Sequence, residues 1–185
     1  MKPRLEAAYA EPHRRYHTRA HIDACLTLLD EVQGLSADER KLLVWAIWWH
    51  DAVYDPKASD NEARSAELAD ADLAGMGASP ADRAEVARLI RLTAGHAVEP
   101  GDRLGALLVS IDLSILGVPA VEYDAYSRAV REEYAHVPEA LWRAGRRRVL
   151  QRFLDAPAIF PDPAFRARFE PQARANLARE VAGLG

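Results

Sequence analysis

The chain has 185 residues, 49% of them hydrophobic, with 28 acidic against 24 basic side chains and a formal net charge of -4. That length supports one domain with a sizeable core, and a mildly acidic balance lacks the global positive field that draws proteins onto nucleic acid or anionic membranes. The lone cysteine, Cys25, excludes an internal disulfide and a thiolate zinc cluster; with no apolar segment of signal-peptide or bilayer-spanning length, the expectation is a soluble protein of the reducing cytoplasm.

Ala, Leu, Glu and Arg fill most segments at helical periodicity, and alternating apolar and polar runs are scarce, which predicts an all-α fold in a single multi-helix unit. The earliest helix expected runs from about 17 to 33 and begins with His17 and His21. A spacing of four places both rings on one helical face, where they can chelate one ion. Two solvated or core histidines produce the same spacing, and the neighbouring Glu of metalloprotease helices is missing. The pair lies in RRYHTRAHI, where Arg14, Arg15 and Arg19, with Arg131 further on, are candidates for bidentate phosphate binding. Arg146-Arg147-Arg148 taken alone reads as a solvated basic surface.

Ser36-Ala37-Asp38-Glu39 has the form of a capping box and launches a helix ending at Trp49 or His50. Its run LLVWAIWW is apolar on nearly every face, which implies burial on most sides, and it stops at His50-Asp51. A carboxylate at the end of such a run must be paired, capped or metal-bound. The next helices are expected near 61–74, with Glu62 in its first turn, and 80–95, with Ser79-Pro80 at its start and His96 at its end. An acidic residue in a first turn and a histidine beyond a last turn are both ordinary complements to the helix dipole.

A helix near 104–116 contains GALLVSIDLSILGV, in which Asp112 is the one ionisable residue between Arg103 and Glu122. It caps a helix or accepts from Ser110 or Ser114, or it faces a metal. The β-branched residues of 109–115 are also compatible with a buried strand. Helices near 119–136, 138–154 and 164–182 complete the chain, and the C-terminal ones, from about 138 to 182, are expected to pack on the core. Two buried carboxylates with histidines to hand favour a metal, and imidazole with carboxylate suits one divalent Mn, Fe, Co, Ni or Zn ion rather than calcium.

The order His21, His50-Asp51, Asp112 resembles the H…HD…D signature of the HD superfamily. The strings RRYHTRAHI, WWHDAVYDP, DNEARSA, LTAGH, IDLSILG, YDAYSRAVREEY and ARANLARE are similar, in order and spacing from Tyr9 to about Glu180, to a family of uncharacterised metal-dependent HD phosphohydrolases. The resemblance implies an HD-type helical bundle with His21, His50, Asp51 and Asp112 as metal ligands. The positions three and four after the HD pair, where some relatives carry an extra acidic residue, are Tyr54 and Asp55, so Asp55 or Glu62 is the candidate for proton transfer. His96 or an arginine would steady the phosphate, and His17 lines the substrate.

The expected activity is hydrolysis of a small phosphate ester, a nucleotide among the candidates. Two alternatives keep the site: a di-iron oxygenase in which His17 and His96 complete a second metal site, and a module that senses a nucleotide without cleaving it. The expected partner is a small phosphorylated molecule, with no nucleic acid and no membrane; the oligomeric state is open, a homodimer included.

Overall fold

Local capping chemistry starts the helices that the sequence signals most clearly. In the computed structural model, which describes residues 2–185 and the side chains from Arg4 onward, the Ser36 hydroxyl accepts from the Glu39 N–H while the Glu39 carboxylate accepts from the Ser36 N–H. Ser79, Asp102 and Asp162 cap three further starts by accepting a first-turn N–H on the side chain, without the reciprocal bond, and two of these helices have proline at the first helical position. The helices are α1 (Lys2–Tyr9), α2 (Arg19–Glu31), α3 (Ala37–Trp49), α4 (Asn61–Gly75), α5 (Pro80–Leu92), α6 (Arg103–Asp112), α7 (Ala120–Glu133), α8 (Glu139–Asp155) and α9 (Pro163–Gly183), with a 3-10 segment at Leu113–Gly117. There is no strand among the described residues, so the all-α expectation holds and 109–115 is helical throughout.

The apolar girth of α3 is explained by its neighbours: it packs against α2, α4, α5 and α6, and Leu43, Ala46, Ile47 and Trp49 have no exposure to solvent. The Trp49 indole N–H still finds Asp72, so this ring is buried with its polar atom satisfied. The α4–α5 hairpin closes the core on one side, turning through Gly77 at φ +79. On the other side α9 lies against the 3-10 segment, α6 and α8. Its Asn176 amide donates to the carbonyls of Leu116 and Val118 at 2.9 Å each. Next to it Gly117 allows the backbone of Phe169 to approach so closely that a Cβ would lie 2.7 Å from the Phe169 carbonyl oxygen.

Four local expectations need correction. α1 carries no strong periodic signal, and it is held by tertiary burial of Leu5 and Tyr9. α2 begins at Arg19, after the extended residue Thr18, so His17 precedes the helix. α5 ends at Leu92 rather than near 95. The helix expected over 104–116 converts to 3-10 geometry after Asp112, because Asn176 captures its last carbonyls and Pro119 disfavours helical backbone at Val118. No single helix among the described residues is long and apolar enough to cross a membrane.

Candidate metal centre

Three helix ends meet at one point. His21 comes from the first turn of α2, His50 and Asp51 from the end of α3, and Asp112 is the last residue of α6. Among the described residues, one group of His, Cys, Asp and Glu side chains has donor atoms close enough to hold a metal ion: His21, His50 and Asp51, all within 4.8 Å of one another. The two Nε2 atoms are 3.2 Å apart. Asp51 Oδ2 lies 3.1 Å from His50 Nε2 and 3.8 Å from His21 Nε2. Asp112 Oδ1 joins the same point, 3.2 Å from His21 Nε2 and 3.5 Å from His50 Nε2.

The surroundings orient these rings. His50 Nδ1 donates to the Ile47 carbonyl at 2.8 Å, which leaves the Nε2 lone pair facing the cluster when the ring is neutral. His21 Nδ1 lies 3.0 Å from the Tyr16 hydroxyl. Cys25 Sγ is 3.8 Å from His21, but burial, then the charges of Asp112 and Asp51, push its thiol well above the ordinary range, so it stays a neutral neighbour. Burial alone would strip charge from His50, Asp51 and Asp112. Their proximity wins: the two carboxylates raise the pKa of His50 well above its usual value, and the imidazoles hold both carboxylates well below theirs.

His17 does not share a helical face with His21. Its Nδ1 donates to Glu133 of α7 at 2.7 Å, and the two histidine rings stand edge to face with centroids 6.3 Å apart. His96 follows α5 in left-handed backbone, φ 58, with its N–H capping the Leu92 carbonyl at 2.8 Å. From there His96 Nε2 reaches 3.5 Å from Asp112 Oδ2, while its buried Nδ1 has no partner.

A cavity of about 730 Å³ opens beside the cluster, lined by the polar Asp51, Asp112, His17, Glu62 and His96 and by apolar side chains that include Trp142 and Phe153, the latter 5.7 Å from the His96 ring. Glu62 therefore stands where the sequence places it. Asp55 does not line this cavity: it is exposed, and its carboxylate accepts from the Lys57 N–H in a turn. The arginine expectations also move. Arg15 pairs with Glu132 and the Pro12 carbonyl, Arg19 with Asp23 above the Trp48 ring, and Arg131 with Glu139 above Trp142, and none of the three borders the cavity. Arg14 is buried and bonded to backbone carbonyls.

The cavity arginines are Arg146 and Arg148, from the run that looked like plain surface. Arg146 is neutralised by Glu180, whereas Arg148 makes no ion pair among the described residues. Glu133, Tyr16 and Tyr54 were not legible as site residues. Glu133 ends the charged run Arg131-Glu132-Glu133, and no local pattern separates it from Glu132.

Compared with models of known protein families, with curated proteins and with solved structures, the chain matches none of them.

Proposed function

We propose that this chain is a metal-dependent phosphohydrolase acting on a small phosphate ester. The observation that carries the reading is that one oxygen of Asp51 and one of Asp112 each lie 3.1 to 3.8 Å from the Nε2 atoms of both His21 and His50, with the two aspartates bordering a ligand-sized cavity. With metal–ligand bonds of about 2.1 Å, neighbouring donors sit roughly 3.0 to 3.4 Å apart for octahedral or tetrahedral angles, and the His21–His50, His50–Asp51 and His21–Asp112 spacings of 3.2, 3.1 and 3.2 Å suit a small divalent ion. His21, His50, Asp51 and Asp112 would hold it. The resemblance of the ordered sequence strings to HD phosphohydrolases supports the same assignment.

A divalent ion bound there supplies a Lewis acid for a phosphoryl oxygen and lowers the pKa of a coordinated water. Glu62, on the cavity wall, accepts the proton of the attacking water. Arg148, which borders the cavity and makes no ion pair among the described residues, takes in this reading the phosphate-binding part expected of Arg14, Arg15, Arg19 and Arg131. Asp55, exposed and turned away, has no part in it.

Elemental analysis of the purified protein, together with phosphate release from a panel of phosphorylated metabolites, tests the reading. One Mn, Fe, Co, Ni or Zn per chain and turnover of at least one ester are expected, and Asp51→Ala is expected to lose both. A metal-free Asp51→Ala protein with full turnover would overturn the proposal.

A further inference from the structure

Glu133 is a carboxylate with a fully buried side chain and five donors aimed at it. One oxygen, Oε1, accepts the consecutive backbone N–H groups of Arg15, Tyr16 and His17 at 2.7, 2.8 and 3.0 Å. The other, Oε2, accepts the Tyr54 hydroxyl at 2.8 Å and His17 Nδ1 at 2.7 Å. A carboxylate oxygen only accepts, so the hydrogen of this contact belongs to His17 Nδ1. The ring's remaining nitrogen, Nε2, makes no hydrogen bond or ion pair among the described residues, and the side chain, 22% exposed, borders the same cavity as Asp51.

Oε1 by itself would anchor the residue 15–17 loop to α7. The bond that Oε2 accepts from His17 Nδ1 does something the anchor does not require: it sets the tautomer and direction of one ring. That ring is further held by Tyr54, stacked at 4.2 Å, and by Tyr16, edge-on at 5.0 Å. Burial opposes charge on His17, but the Glu133 contact and the carboxylates of Asp51 and Asp112 hold its pKa above the ordinary imidazole value.

We propose that His17 is the catalytic acid of this site, donating its Nε2 proton to the leaving-group oxygen, and that Glu133 is the residue that positions it. The inference rests on the phosphohydrolase reading. As the water oxygen bonds to phosphorus, the phosphorus–oxygen bond to the alcohol breaks with its electron pair on that oxygen, which takes the His17 proton. Glu62 takes the proton of the water, and both groups return to their starting states through solvent. The products are the alcohol and phosphate.

One measurement needs no turnover. Nitrogen-15 shifts of the His17 ring, recorded where the ring is neutral, are expected to show the proton on Nδ1. In Glu133→Gln the three backbone N–H groups keep the amide oxygen on their side, so the amide NH2 faces His17 and the ring proton is expected to move to Nε2. An unchanged Nδ1–H tautomer in a folded Glu133→Gln protein overturns the pairing.

The second measurement uses His17→Asn, which keeps an N–H toward Glu133 and lacks Nε2. Its kcat is expected to fall by about 100-fold or more on glycerol phosphate and by less than about 10-fold on p-nitrophenyl phosphate, whose anion leaves without a proton. Equal losses on the two esters would overturn the acid role. If the wild-type protein turns over neither ester nor any metabolite of the panel, the hydrolase reading and the acid role fall together, and the tautomer still decides whether Glu133 sets the His17 ring.

Discussion

Replacing Arg14 with methionine removes a guanidinium whose side chain is 0% exposed and which ties the residue 11–17 loop to the end of α3. Its N–H groups donate to Glu11 Oε2 at 3.0 Å and to the carbonyls of His17, Asp51 and Ala52 at 3.0, 2.7 and 3.2 Å. Methionine keeps the aliphatic packing but leaves three carbonyls without their donor. A buried acceptor left unsatisfied costs roughly 1–3 kcal/mol; the Ala52 carbonyl, in the driest setting, takes the upper part of that range and the two partly wetted ones about 1 kcal/mol each. The cation–π contacts with Tyr9 and Tyr54 add about 1 kcal/mol.

The expected loss from Arg14→Met is therefore about 5 kcal/mol, against a typical domain stability of about 5–15 kcal/mol. For a chain of this size the thermal midpoint should fall by roughly 10 to 20 °C. Urea unfolding followed by far-ultraviolet circular dichroism measures the stability. Elemental analysis of the folded fraction should show weakened metal retention, since two of the orphaned carbonyls belong to Asp51 and Ala52. A loss below about 1 kcal/mol, with an unchanged midpoint and a raised KM for substrate, would refute the reasoning and return Arg14 to the role of a phosphate-binding residue.

Gly117→Ala would place a methyl 2.6 Å from Phe169 Cβ and 2.7 Å from the Phe169 carbonyl oxygen, so α9 must move off the 3-10 segment. A loss of about 2–3 kcal/mol in a thermal or urea melt is expected, and a change under about 0.5 kcal/mol would deny that close approach. The pKa of Glu133 is about 2 against an ordinary 4.5, because the His17 contact and the backbone donors outweigh the burial that opposes its charge. A depressed folded pKa stabilises above the unfolded value, so about 3 kcal/mol should be present above pH 4.5 and disappear as the pH falls toward 2. Glu133→Gln should flatten that part of the stability–pH curve, and an unaltered acid limb would show that the stabilisation lies elsewhere.

The all-helical class, the cap-encoded starts of α3 and α5, and the special status of His21, His50-Asp51 and Asp112 were readable from the residues alone. The physical reason is local: capping boxes act within one turn, and an ionisable residue inside an apolar run must have a partner wherever the run is buried. Glu62 and His96 were legible on the same grounds as helix-end residues, and both border the cavity.

Which arginines border the cavity and which carboxylate meets His17 depended on packing between helices far apart in the chain. Arg14, Arg15, Arg19 and Arg131 are adjacent to the motif in sequence or chemistry, but each is satisfied by a carbonyl or an acidic neighbour that the fold delivers. Arg148 reaches the cavity because α8 lies along its wall, and Glu133 reaches His17 across 116 residues of chain because α7 ends beside the loop before α2. The same loop ends at Thr18, which turned the expected His17–His21 helical pair into two rings with different partners. A spacing of four has meaning only once the helix has begun, and where a helix begins at a weak cap is settled by what packs against it.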